Sequence, residues 1–166
     1  GICIDPNPNI AKDFKLMHPK DIFINKGISE STENTLTYYQ IGKDGKSSMN
    51  TFSKVFIKKN NIPENSITEI EVPITRLDSI LAKNLTLADR LDFFDIDVEG
   101  YDLEVLKTNN WDKYRPKIIL VETDTTLEND MESPIKFYLE SKDYKLIGKS
   151  LIHKSLGNLY FINNRL

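Results

Sequence analysis

Asp95-Ile96-Asp97-Val98-Glu99-Gly100 follows the apolar residues Leu91, Phe93 and Phe94 and leads into Tyr101-Asp102-Leu103-Glu104-Val105-Leu106. With a two-residue period, Phe94, Ile96 and Val98 point one way and Asp95, Asp97 and Glu99 the other. The pattern predicts a strand that ends at a glycine, beyond which a helix begins. Three carboxylates on one face at a strand end raise one another's pKa, so one stays protonated or serves as a base near neutral pH. Glu99 alone has an ordinary explanation, as an acid favoured at the positive end of the next helix. Three acids on one face do not.

The same alternation of strand and helix extends in both directions. Gly1-Ile2-Cys3-Ile4 reads as a strand stopped by Asp5-Pro6-Asn7-Pro8, with a short helix over Ile10 to Met17 capped by Asn9. Asp21 to Asn25 reads as a second strand closed by Gly27. Thr35 to Ile41 alternates and runs into the turn Gly42-Lys43-Asp44-Gly45. Lys46 to Ser66 is irregular and is expected to be a mobile insertion near the functional face. Ile67 to Ile74 is a further strand, and Leu77, Ile80 and Leu81 lie at helical spacing. Lys117 to Glu122 is apolar without alternation, as for a strand covered on both faces. Ser133-Pro134 opens a helix to about Ser141. Tyr144 to Ile147 and Leu159 to Ile162 form a closing antiparallel pair.

This order predicts an α/β three-layer sandwich with a mostly parallel sheet and a C-terminal antiparallel hairpin. Ligands of such sheets bind beyond the carboxyl ends of the strands. Asp5, Asn25, Asp97 and Glu122 all fall there and are expected to line one edge. An acid in the place of Asp5 can accept hydrogen bonds from both ribose hydroxyls of a nucleotide, although Asp5 and Asn7 are also ordinary turn residues before proline.

Composition narrows the field. The 166 residues suffice for one domain, taken as 1–166, and carry 22 basic and 25 acidic side chains, a formal charge of −3 that disfavours a polyanionic partner such as nucleic acid. The lysines at Lys58-Lys59 and from Lys142 to Lys154 are read as solvated surface. Cys3 is the single cysteine, which rules out an internal disulfide and fits a reducing, cytoplasmic setting. No apolar run approaches the ~18–20 residues of a membrane span, so no membrane partner is expected. His18 and His153 are isolated, so no metal site is assigned to them. No glycine-rich phosphate loop and no Ser-His-Asp signal is present. Trp111, Tyr114 and Pro116 read as core.

Four blocks together resemble the FkbM-type methyltransferases: Ile4-Asp5-Pro6-Asn7-Pro8, then Val72-Pro73-Ile74-Thr75-Arg76-Leu77-Asp78-Ser79-Ile80-Leu81, then Ile96 to Leu106, then Arg115-Pro116-Lys117-Ile118-Ile119-Leu120-Val121-Glu122. Gly157-Asn158-Leu159-Tyr160-Phe161 is similar to the family's last strand. The resemblance implies a Rossmann-like domain that uses S-adenosylmethionine to methylate a hydroxyl of a sugar or natural-product-like acceptor. It implies catalytic roles for Asp97 and Glu99, and cofactor binding by Asp5, Asn7 and Asn25. Two features depart from the family. Asp95 stands where a lysine is usual, which makes a divalent cation conceivable. The family's first strand and its glycine-rich cofactor loop would precede Gly1, so the chain is expected to be the C-terminal part of a longer protein, to bind the cofactor weakly alone, and to expose enough sheet for a dimer to form. Two other readings remain: a metal-dependent nucleotide-sugar glycosyltransferase using Asp95-Ile96-Asp97 as an Asp-x-Asp pair, and a non-catalytic domain that keeps the fold.

Overall fold

The structure, a computed structural model, describes residues 1–86 and 89–165. In chain order its elements are β1 (Ile2–Ile4), α1 (Ala11–Met17), β2 (Ile22–Ile24), β3 (Gly27–Ile28), β4 (Thr35–Ile41), α2 (Lys54–Lys59), β5 (Ile67–Thr75) and α3 (Leu77–Asn84). There follow β6 (Phe93–Ile96), α4 (Asp102–Lys107), β7 (Ile118–Asp124), α5 (Leu127–Met131), α6 (Pro134–Glu140), β8 (Tyr144–His153) and β9 (Leu156–Asn163). The fold is mixed α/β.

The strands form three short sheets, not one mostly parallel sheet: β1-β2, β3-β5-β4 and β6-β7-β9-β8. Parallel pairing is confined to β1 with β2, β3 with β5 and β6 with β7. The long ladders, β4 with β5, β7 with β9 and β8 with β9, are antiparallel. The cause is local. Strands β1, β2 and β6 are stopped within a few residues by Pro6, Asn25 and Gly100, whereas the alternating β-formers of β4 and β9 continue. The closing hairpin is present and longer than expected. Its two strands approach so closely at Gly157 that a Cβ there would lie 1.8 Å from the Ser150 carbonyl oxygen, so only glycine fits.

One apolar cluster joins the pieces. Leu106, Ile119, Val121, Leu139 and Phe161 are wholly inaccessible, and Ile2, Ile4 and Ile24 pack against the same cluster from the first sheet. Trp111 belongs to it, edge-on to Tyr138 and Tyr144, with its indole N–H donated to the Leu106 carbonyl. Strand β7 is not covered on both faces: Ile119 and Val121 are buried, Leu120 is half-buried and Ile118 is exposed. The uninterrupted apolar run of β7 hid that difference, because periodicity cannot separate two apolar faces.

Segment 46–66 is folded and not a mobile insertion. Thr51 pairs with Tyr39, Ser53 caps α2 by accepting from the Phe56 amide, and Ser66 closes a 3₁₀ turn before β5. Asn7, not Asn9, is the cap after β1, and it precedes a 3₁₀ turn that runs into α1. Lys149 also departs from the expected lysine surface, being buried against Asp130. Among the described residues, no helix is long and apolar enough to cross a membrane.

Candidate functional site

The carboxyl ends of the parallel strands bring the predicted residues to two adjoining places. At the first, Asp5 follows β1. Its amide donates to the Ile24 carbonyl, and its own carbonyl accepts from the Asn25 side chain at 2.9 Å, so Asn25 locks the ends of β1 and β2 together. One Asp5 carboxylate oxygen accepts from the Asn7 amide at 2.7 Å, an Asx turn. The carboxyl group is part-buried, and burial raises its pKa against that hydrogen bond. Asn7 is buried and its amide is fully engaged: Oδ1 accepts from the Asn9 amide and Gln40, and Nδ2 donates to the Gly45 carbonyl. Asn7 and Asn25 therefore build the turn, and Asp5 is the group with spare acceptor capacity.

At the second place, β6 ends at Ile96 and the chain turns sharply. Glu99 has φ 52° and Gly100 φ 82°, both in the left-handed region. For a glutamate that conformation is uncommon and must be held by its surroundings. The turn gathers Asp97, Glu99 and Glu122, with one carboxylate oxygen of each within 4.8 Å of the others. Asp95 lies outside this set, on the exposed face of β6, and Glu122 takes its place. The register explains the substitution: Ile96 pairs with Val121, so the residues one step further, Asp97 and Glu122, arrive side by side.

Among the described residues no lysine or arginine pairs with these acids, and their pKa values move up accordingly. Glu99 is pushed up to about 7, first by burial and then by the charges of Asp97 and Asp102. Glu122 moves up by burial and by the charges of Asp97 and Glu99, and Asp97 also rises, first by burial, so each carboxyl makes it harder for the other to ionise. Such a set can share a proton, and by geometry it can also accept a hard divalent cation.

Sequence reasoning missed three contributors. Asp102 is buried at the start of α4, accepts from the Val98 amide at 3.3 Å, and is raised to about 6, chiefly by burial. Its position two residues after Gly100, where a helix must begin, was the available signal. Tyr38 on β4 is buried, and its phenol pKa is raised first by burial, then by Asp5 and more weakly by Glu99. It thus feels both places and marks them as neighbours. Thr51, wholly buried, donates its hydroxyl to the Glu99 carbonyl at 2.8 Å. Neither Tyr38 nor Thr51 belongs to a motif, so only the three-dimensional path reveals them.

Fold and site together define an α/β protein with three carboxylates gathered at its strand ends and a fourth acid, Asp5, at a neighbouring strand end. The family model described as "Methyltransferase FkbM domain" matches residues 1–146. The chain belongs to this methyltransferase family. No curated protein and no solved structure shows significant similarity to it.

Proposed function

We propose that the protein is an S-adenosylmethionine-dependent O-methyltransferase whose acceptor is a hydroxyl of a sugar or natural-product-like small molecule. The reading rests on family membership and on one observation: three carboxylates, without a basic partner among the described residues, converge at the strand ends within 4.8 Å of one another. In the same reading, the three short sheets around one core are parts of a Rossmann-like sandwich. When bound, S-adenosylmethionine supplies an electrophilic methyl carbon.

The chain's own residues must then orient the acceptor oxygen and take its proton. Glu99, with a pKa near 7, is present in useful amounts as a base at neutral pH. Asp97 lies beside Glu122 and is the exposed member of the set, so its carboxylate can receive the acceptor hydroxyl. Asp5 retains an oxygen for ribose hydroxyls, and its half-buried setting strengthens such bonds. Asp95 stands apart from the cluster, so an Asp-x-Asp metal pair is not what the strand ends assemble.

The test is methyl transfer from radiolabelled S-adenosylmethionine in the whole protein, assayed over a panel of soluble mono- and oligosaccharides. Asp97→Asn should lower the rate by roughly 10²–10⁴-fold, the range for loss of a positioned proton acceptor. An unchanged rate would remove Asp97 from the mechanism.

A further inference from the structure

Segment 42–66 leaves the sheet after β4 and returns at β5, yet it touches the carboxylate turn at two points. Thr51 donates its hydroxyl to the Glu99 carbonyl at 2.8 Å. Beyond it, the Phe56 side chain on α2 packs against Gly100, its Cβ 3.5 Å and its ring 3.6 Å from where a Gly100 Cβ would stand. Thr51 is itself fixed from both sides: its amide and carbonyl bridge to Tyr39 at 3.2 and 2.9 Å, and its hydroxyl oxygen accepts from the Ser53 amide at 2.8 Å.

A hydroxyl has one proton to give. The oxygen of Thr51 is occupied by Ser53, and the proton is directed at Glu99. With Thr51 only 1% exposed, no water can stand in for it. On the receiving side, Glu99 holds a left-handed backbone without being glycine. Such a conformation persists only where neighbouring contacts over-determine it, and it recurs at functional sites. The Glu99 carbonyl is one of the groups whose direction that conformation sets. Opening the turn would rotate it away from Thr51.

We propose that Thr51 is a positioning residue: its hydrogen bond holds the left-handed backbone of Glu99, so that segment 42–66 and the Asp97–Glu99–Glu122 carboxylate set are assembled, or lost, together. The proposal builds on the reading of Glu99 as an acceptor-side carboxylate, and assigns the control of its placement to a segment that contributes no acid to the set. Thr51 touches no reacting atom in this scheme. It acts through Glu99.

Carbon-13 NMR of the whole protein tests this. Thr51→Val is nearly isosteric and lacks the proton, whereas Thr51→Ser keeps it. In Thr51→Val the Glu99 backbone carbonyl resonance should move upfield, and the Glu99 side-chain carboxyl should titrate at least half a pH unit lower as the set loosens. Thr51→Ser should restore both. A Val variant that folds and matches the wild type in both signals overturns the proposal, as does a Ser variant that behaves like Val. Should the Val variant not fold, the unmodified protein still decides: the Thr51 hydroxyl proton should exchange slowly and couple to the Glu99 carbonyl carbon. Exchange at the rate of a free threonine overturns the proposal. These signals do not depend on turnover, so a Glu99→Gln protein that still transfers methyl groups would defeat the catalytic reading alone.

Discussion

Two acid clusters flank β7, and they are built on opposite terms. At its carboxyl end Asp130 is almost wholly buried and accepts from Thr123 at 2.6 Å, Thr125 at 2.7 Å and Lys149 at 2.6 Å. Burial alone would raise its pKa, but the lysine and the two hydroxyls outweigh it and hold the carboxyl below its ordinary value. Lys149 spends a second bond on the Thr125 carbonyl. At Asp97, Glu99 and Glu122, three acids meet without a lysine or arginine partner among the described residues, and every shift is upward. The first arrangement gives both Asp130 oxygens partners and ties the hairpin to α5. The second leaves charge uncompensated, which stability alone does not favour. The fold pairs a buried acid fully at one place and leaves a set of acids unpaired a few residues away, which is the contrast the proposed function draws on.

The contrast can be broken most sharply at the paired cluster. Asp130→Ala leaves Lys149 buried without a counter-charge and should cost about 3–5 kcal/mol in urea unfolding; a loss under 1 kcal/mol would mean that the pair is not the tie described. An intermediate effect belongs to Asp102. Asp102→Ala strands the Val98 amide, a cost of about 1–3 kcal/mol at pH 5. At pH 8 the cost should shrink, because the alanine also removes a like charge beside Asp97 and Glu99. A larger cost at pH 8 than at pH 5 would contradict the upward shift of Asp102.

The smallest effect is the pH dependence itself, and its sign follows from the shifts. A carboxyl whose folded pKa is raised stabilises below its unfolded value, and that stabilisation is lost as pH rises through the folded value. For Glu99 the window runs from about pH 4.5 to about pH 7. Asp130 has the reverse sign, and its contribution disappears only in acid, below its ordinary value of 3.8. The unfolding free energy should therefore fall from pH 5 to pH 8, with the half-exposed Glu99 contributing under about 1 kcal/mol after solvent screening, beside Asp102 and Glu122. Glu99→Gln should make the curve shallower, with Asp102 and Glu122 keeping the remaining slope; a variant whose slope matches the wild type would place the titrating group elsewhere.

Much of this was legible in the chain before its structure. The stop at Asp5-Pro6 and the helix opened at Ser133-Pro134 report local physics that tertiary contacts left in place, whereas the alternation of Phe94, Ile96 and Val98 with the acids holds only to Ile96, where β6 ends and the chain turns. Asp97 and Glu99 were legible for the same reason, since a strand end before glycine is a local signal. Glu122 was placed on the shared edge, but its replacement of Asp95 in the cluster needed the β6–β7 register, which sequence spacing does not carry. Asp130 with Lys149 was hidden because a lysine between polar residues looks solvated until its partner, 19 residues away, is known. The mostly parallel sheet was an expectation from element order, which does not report how early a proline or glycine ends a strand. Segment 46–66 looked irregular because its order comes from Tyr39 and Glu99, outside the segment.

The hydrogen bond between Thr51 and Glu99 spans 48 residues of chain. Closing so long a loop costs entropy before any contact repays it, so contacts of this separation form late in folding. Locally the turn at Glu99 is bridged by the Val98–Asp102 bond, but the Glu99 carbonyl finds its partner only when Thr51 arrives, and Glu122 joins the acids only when β6 and β7 pair. The acid set is thus complete only in a chain whose distant segments have already come together.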